Sequence, residues 1–442
     1  MAQPQVTLTS LAAQISDLTQ QFTKFLGDNG IQQPSFAVDS PTSYSGLTSE
    51  SFLLRQKLID AINDMWILTQ GPSESIFNYC HNTMPDQAAL SMLNHFDFWS
   101  AVPLEGSASY EDIARHTKLP TEVVRRVLEH STTLRLFTKS EKAFHVEHTS
   151  RSAALAKSSG LRALVSTLLD DAGPPLTVMN ETLRRYCLGK TELTTEMSET
   201  ALALFHSGGI FGGKYATSWD FIENDGEGPR KGWRQRTFVE FMRYIREMFH
   251  LESVILGSYD WKNAGAATVV DIGGSGGHDG VILAQKFPDL NIVVQDLPEA
   301  GVPFEKNTPA ELKSRVSFMA HDFFNPQPVS ADIYMLKLIL HDWPDKESVR
   351  ILQGLVPAMR PGSKVLFIDY VGKQSNPDDL PRSIQQMGTA TDLRMLALFN
   401  AEERPVKAWK EIFRAADERF EITRVEANPL TFYVVIEAVW RG

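Results

Sequence analysis

The sequence predicts an α/β protein, a doubly wound and mostly parallel sheet preceded by an α-helical, winged-helix unit. Three observations predict it. The C-terminal half alternates short apolar runs with helical patterns, a glycine-rich turn follows the first of those runs at Thr268–Gly277, and residues 110–147 read as helix, turn, helix and two short strands. The expected organisation is an N-terminal helix and linker over 1–46, a helical dimerisation domain over 47–175, and a third domain over 176–442 that begins with a helical segment.

Leu8, Leu11, Ile15, Leu18, Phe22 and Phe25 recur at alternating spacings of three and four, the seam of a helix that needs one partner surface. Such a helix is not stable alone, so it packs on its own chain or on a second copy, and a dimer contact is the expectation. A Pro/Ser/Gly-rich loop over Gln33–Gly46 follows. From Ser49 a second helix shows Phe52, Leu58, Ile59, Ile62, Met65 and Trp66 as one face, and after Gly71-Pro72 helical segments continue through Phe98.

Next come a helix at Tyr110–His116, a turn through Pro120, and a helix at Thr121–His130 with Thr121 as N-cap. Short strands at Leu134–Thr138 and Ala143–Glu147 complete the winged-helix pattern. A DNA-binding regulator would share this pattern. The second helix, however, sets Glu122 and Glu129 beside Arg125 and Arg126, and a net charge of −11 lacks the basic excess that phosphate binding needs. Dimer packing is the better use of the unit.

Residues 176–250 are helical and aromatic-rich, with Phe211, Trp219, Phe238 and Met242 among the large side chains. Most are core, but a planar substrate would need part of this surface, and Trp219, Phe238 and Met242 are the candidates. Strands follow at Thr268–Ile272, Asn291–Asp296, Val316–Ala320, Ala331–Lys337, Lys364–Asp369, Phe420–Val425 and Tyr433–Val439, with helices between them, one of them after Pro344. In such a sheet, ligands bind outside the carboxyl ends of the strands.

An apolar content of 43% with 22% charged residues is that of an ordinary globular protein. No apolar run reaches the length of a membrane span, and MAQPQVTLTS lacks a signal-peptide core. Two cysteines, Cys80 and Cys187, offer neither a disulfide framework nor a metal spacing, so no metal and a cytoplasmic location are expected.

The stretch TVVDIGGSGG supplies the first chemical signal. Asp271 ends an apolar strand, and the glycines after it allow positive φ and close approach of a ligand to bare amides. Asp296 ends the next strand about 20 residues after the glycine loop, the spacing at which a carboxylate meets ribose hydroxyls. The dinucleotide pattern G-x-G-x-x-G fails because Asp279 stands at its third glycine. Serine at position 275 is tolerable provided that its φ stays negative.

The ordered set VVDIGGSGG, VVQDLPE, HDFF, MLKLILHDWPD and LRMLALFNAEERPVKAWKEIF resembles the S-adenosylmethionine-dependent O-methyltransferases of the caffeate and flavonoid type, particularly secondary-metabolite enzymes of fungi. The resemblance covers roughly residues 90–442 and implies a Rossmann-like class I methyltransferase domain, a homodimer built on the winged-helix domain, and an aromatic or enolic small-molecule substrate. It implies that Gly273 and Gly277 bound the loop around the methionine part of S-adenosylmethionine, that Asp296 holds the ribose hydroxyls, that Asp322 and Phe323 meet the adenine, and that Asp271, Gly274 and Leu297 also bind the cofactor. Lys337 would contact the cofactor end of the pocket and His341 would be the general base. Asp369 and Glu403 would orient the His341 imidazole.

The chemistry supports that assignment. A phenol or enol is poorly ionised at neutral pH, and a histidine can take its proton during attack on a sulfonium methyl. Read alone, His341-Asp342-Trp343 is a helix-start motif, with Asp342 at the N-terminus. Proteins of this fold also include S-adenosylmethionine-binding pericyclases that direct dehydrations and cyclisations without transferring methyl. In such a protein Lys337 and His341 would be hydrogen-bond donors to a carbonyl.

Overall fold

Strands buried on both faces read as continuous apolar runs, and these organise the larger sheet. The computed structural model describes residues 6–44, 46–207, 215–249, 251–370, 380–428 and 433–442. Phe211 lies outside them. By internal contact the chain forms two units: Met1–Pro174 with Ile222–Tyr244 and Leu380–Ile384, and Pro175–Phe221 with Ile245–Asp379 and Gln385–Gly442.

In the first unit, helix α1 (Leu8–Asp28) opens with a capping box in which Thr7 and Ser10 exchange hydrogen bonds. Its buried residues are Leu11, Leu18, Phe22 and Leu26, whereas Leu8 is exposed. The stripe packs on Leu54, Leu58, Ala61 and Met65 of helix α2 (Ser49–Gln70). Docking within the chain therefore replaces the dimer contact expected for α1. The face expected on α2 is divided accordingly: Leu58 and Met65 turn to α1, while Ile59, Ile62 and Trp66 remain exposed. Helix α3 (Pro72–His95) follows the break at Gly71.

The winged-helix elements are present, with strands β1 (Ala108–Ser109), β2 (Phe137–Lys139) and β3 (His145–His148) in the antiparallel order β1-β3-β2. The helix Thr121–Thr133 is capped by Pro120, not Thr121, which is its first helical residue and makes no cap hydrogen bond. Proline already fixes the extended backbone that an N-cap position uses. On this helix Arg125 pairs with Glu122 and Glu129, and Arg126 with Glu122, so the basic side chains are neutralised within the helix surface.

The second unit holds a seven-stranded sheet. Its strands are β4 (Thr268–Ile272), β5 (Asn291–Asp296), β6 (Val316–Ala320), β7 (Ile333–Lys337), β8 (Lys364–Tyr370), β9 (Phe420–Asn428) and β10 (Tyr433–Trp440). The order is β6-β5-β4-β7-β8-β10-β9, parallel except for β10, which runs antiparallel to both neighbours. Alternate residues feed the two faces. Val270, Ile272, Tyr334, Leu336, Val365 and Phe367 pack with Trp409, Ile412 and Phe413 on one side. Val269, Ile333, Met335, Leu366 and Ile368 pack with Leu251, Ile255, Trp261 and Leu283 on the other. Strand order reverses between β4 and β7, which puts a crevice at the carboxyl ends of these strands.

Among the described residues, no helix is long and apolar enough to cross a membrane.

Candidate functional site

The loop after β4 is shaped by its glycines. Gly273 and Gly277 have φ +69° and +74°. A Cβ at Gly273 would lie 2.4 Å from Ile339 Cδ1, one at Gly274 would lie 2.5 Å from Asp271 Oδ2, and one at Gly277 would lie 2.6 Å from the Phe304 ring. The amides of Gly273 and Gly274 donate to Gln295 O at 2.8 and 3.1 Å, tying the loop to β5. Side chains are thus excluded where a ligand needs bare backbone.

Ser275 corrects the sequence reading. Its φ is +50°, in the left-handed region, and not negative. The backbone is held there by Asp296, whose Oδ2 accepts the Ser275 amide at 2.8 Å while Oδ1 accepts the Leu297 amide at 2.8 Å. A short polar residue tolerates that conformation at modest cost. Burial raises the Asp296 carboxyl above its usual range, with these two amides opposing.

Asp271 is buried, and its Oδ2 has no partner among the described residues. Burial, reinforced by the charge of Asp279 and opposed by Lys337, pushes its carboxyl up to about 8. Lys337, at the end of β7, pairs with Asp279 in the first turn of the helix His278–Lys286. Asp322 caps its own loop by accepting the Phe324 amide at 2.9 Å. Phe323 packs edge-on to Phe324 and Trp343, with its ring beside Gly273. Leu297 is half exposed.

His341 sits in a 3-10 turn, Leu340–Asp342, just after β7. Its Nδ1 lies 3.4 Å from Glu403 Oε1 and its Nε2 lies 3.7 Å from Asp342 Oδ1. Glu403 is fully buried, and its second oxygen has no partner among the described residues. Asp369 does not orient the imidazole directly. Its Oδ2 accepts the His341 backbone amide at 3.3 Å and its Oδ1 accepts the Tyr370 amide at 2.7 Å, because the end of β8 faces the turn's main chain. Asp342, which reads from sequence as a helix-start residue, supplies the carboxylate at the other side of the ring. Only its place next to His341 could have signalled this.

Burial disfavours the imidazolium, but Asp342, Asp369 and Glu403 together outweigh it and hold His341 well above the usual imidazole range. Burial likewise pushes Asp369 up to about 6, against the His341 charge. The arrangement can hold a proton on the imidazole and exchange it with a ligand hydroxyl.

Trp219 belongs to the second unit, its ring tilted against Phe399 at a centroid distance of 5.6 Å, and its buried indole N–H has no partner among the described residues. Phe238 and Met242 lie half-buried on the helix Trp233–Met248, in the part grouped with the first unit.

A family model described as an O-methyltransferase domain matches residues 231–418. The chain is 43% identical to "O-methyltransferase lcsG" of Purpureocillium lilacinum, over 99% of this chain and 94% of that protein. It is 32% identical to "O-methyltransferase pgmB" of Aspergillus terreus, over 95% and 92%. Among solved structures it is similar to OxaC in complex with SAH and oxaline, with TM-score 0.74, 18% identity and 98% of both chains covered. It is also similar to LepI in complex with SAM, with TM-score 0.69, 18% identity and 98% and 100% covered. At such identities the solved structures speak for the fold alone.

Proposed function

The chain belongs to the S-adenosylmethionine-dependent O-methyltransferases, and from that premise we propose that it methylates a phenolic or enolic hydroxyl of a secondary metabolite with His341 as general base. The observation that carries the reading is the His341 imidazole held against the buried Glu403 carboxylate at the carboxyl end of the sheet, on the same strand ends as the glycine loop.

The residues present fit the cofactor. The glycine-rich Gly273–Gly277 loop leaves room for the methionine group, and the unpartnered, buried Asp271 oxygen suits its ammonium. We assign Asp271, Gly273, Gly274 and Gly277 to that group, Asp296 and Leu297 to the ribose, and Asp322 and Phe323 to the adenine. Bound there, S-adenosylmethionine supplies the electrophilic methyl on its sulfonium. Glu403 keeps a proton on His341 Nδ1, leaving Nε2 to take the acceptor's hydroxyl proton as the new O–C bond forms. Asp342 then stabilises the imidazolium, and Asp369 fixes the main chain beneath it. Trp219, in the same unit as the glycine loop and His341, offers its indole N–H to the substrate.

One observation favours a second reading. A histidine held well above its usual range rests as a donor, as a pericyclase of this fold would require. Against it, the other donor that this chemistry would use, Lys337, is engaged by Asp279.

A pH profile separates the two. The raised pKa keeps His341 charged to higher pH, so the neutral base accumulates only as pH rises through that value. The methyltransferase reading expects kcat/KM at saturating cofactor to climb with pH beyond the ordinary imidazole range and then level. A rate that falls over the same window contradicts it and fits donor chemistry.

The protein acts as a homodimer in this proposal. Ile59, Ile62 and Trp66 of α2 and Ile76, Phe77 and Tyr79 of α3 are exposed, Trp66 at 67% and Tyr79 at 70%, a concentration of apolar surface that a monomer rarely leaves bare. Light scattering should give twice the chain mass, and Trp66→Glu should shift it toward one. A wild-type monomer at micromolar concentration would remove the dimer.

A further inference from the structure

We infer that Arg404 is a positioning residue for His341, a clamp on the main-chain turn that carries the imidazole. The inference deepens the assignment of His341 and rests on it for its catalytic meaning.

The Arg404 side chain is 1% exposed. Its Nη2 donates to Trp343 O at 2.9 Å, its Nη1 to Leu340 O at 3.4 Å, and its Nε to Asp345 Oδ1 at 2.7 Å, while the guanidinium lies 4.8 Å from the Trp409 ring centroid. Leu340 and Trp343 bracket His341 and Asp342 in the chain. Arg404 therefore grips the carbonyl on either side of both residues and the first residue of the helix Asp345–Leu355.

A second donor converges on the same two oxygens. Ser348 Oγ lies 3.2 Å from Leu340 O and 3.2 Å from Trp343 O. Leu340 O also accepts the Trp343 amide at 3.1 Å, so the guanidinium reinforces a turn that the main chain and Ser348 already hold.

Placing a guanidinium in the core is costly unless it is well paired. Here its carboxylate partners, Asp345 at 2.7 Å and Glu402 at 3.9 Å, are 67% and 49% exposed and return little of that cost. A hydrophobic residue of similar volume would suit the packing against Trp409 better. What only arginine supplies is the planar fork that reaches two carbonyls and a carboxylate at once.

Glu403 faces the His341 ring at Nδ1, and Arg404 holds the His341 main chain. Adjacent residues on one loop thus hold the two ends of the same histidine. The ring-to-carboxylate distance is then fixed through one peptide link, which matters because a displacement of about 1 Å can cost about 10²-fold in a positioned reaction.

Arg404→Lys keeps the charge and removes the fork, so electrostatic repulsion of the imidazolium is unchanged while the geometry is lost. The test uses full-length protein labelled with ¹³C at histidine Cε1 and saturated with S-adenosylhomocysteine, with the His341 signal identified by its absence in His341→Gln. In Arg404→Lys we expect the His341 proton affinity to fall about tenfold, one pH unit, with the dissociation constant for S-adenosylhomocysteine within about threefold of wild type. An unchanged His341 titration alongside retained binding and a lowered melting temperature would mean that Arg404 only stabilises the fold, and would overturn the clamp. If Arg404→Lys does not bind S-adenosylhomocysteine, Ser348→Ala is titrated in its place. A shift in the same direction supports the clamp, and none overturns it. Because the titration requires no methyl transfer, failure of the base assignment leaves its result readable.

Discussion

His341→Gln lowers methyl transfer by about 10²–10⁴-fold, the usual contribution of a positioned general base, while S-adenosylhomocysteine binds within about threefold of wild type. Glutamine keeps the side chain's length and an N–H for Glu403 but has no site that takes a proton at neutral pH. Calorimetric titration with S-adenosylhomocysteine checks that the fold and cofactor loop survive. A large loss of that affinity would show that His341 belongs to the cofactor site. Retention of most activity would point to a role as donor, which glutamine reproduces.

Gly277→Ala should weaken S-adenosylhomocysteine binding by at least about tenfold. Its φ of +74° costs a non-glycine residue about 1–2 kcal/mol. The added Cβ would also meet Phe304 at 2.6 Å, in a core that gives way only at about 1–3 kcal/mol. Since about 1.4 kcal/mol is tenfold in affinity, the two effects acting together on the bound loop are sufficient. Ser275→Gly is the control. It relieves a positive φ of +50° and leaves the Asp296 hydrogen bond to the main chain in place, so its affinity should match or exceed wild type. Undiminished binding by Gly277→Ala would mean that the loop is not the cofactor cradle.

The strands were legible because parallel strands buried on both faces show as uninterrupted apolar runs. β4 and β5 begin and end where Thr268–Ile272 and Asn291–Asp296 suggest. The glycine loop was legible because positive φ and close packing restrict residue type. Other features depend on tertiary placement. The α2 face could be read from periodicity as a single stripe, but only the position of α1 decides that Leu58 and Met65 are covered while Ile59, Ile62 and Trp66 are not. Thr121 is a good cap residue by type, yet Pro120 holds that position.

At the site, Asp369 and Glu403 are legible in the sequence but their geometry is not, and Asp342 reads there only as a helix start. Glu403 meets the ring, whereas Asp369 meets the main chain and Asp342 takes the other side of the imidazole. Spacing in sequence cannot tell a carboxylate aimed at a side chain from one aimed at an amide. In the sequence Asp279 only breaks a dinucleotide pattern, and its pairing with Lys337 joins positions far apart in the chain. Ser275 was expected at negative φ because residue type alone favours it; the Asp296 contact across two strand ends overrides that preference.

Methyltransferase chemistry requires that the methyl leave the cofactor. Purified enzyme is incubated with S-adenosylmethionine carrying a CD₃ group and a panel of phenolic and hydroxypyridone acceptors, and both products are followed by mass spectrometry. The account predicts an acceptor heavier by one CD₃ in place of a hydroxyl hydrogen, with one S-adenosylhomocysteine formed per product. An isomerised or dehydrated product with the labelled cofactor recovered intact would contradict it.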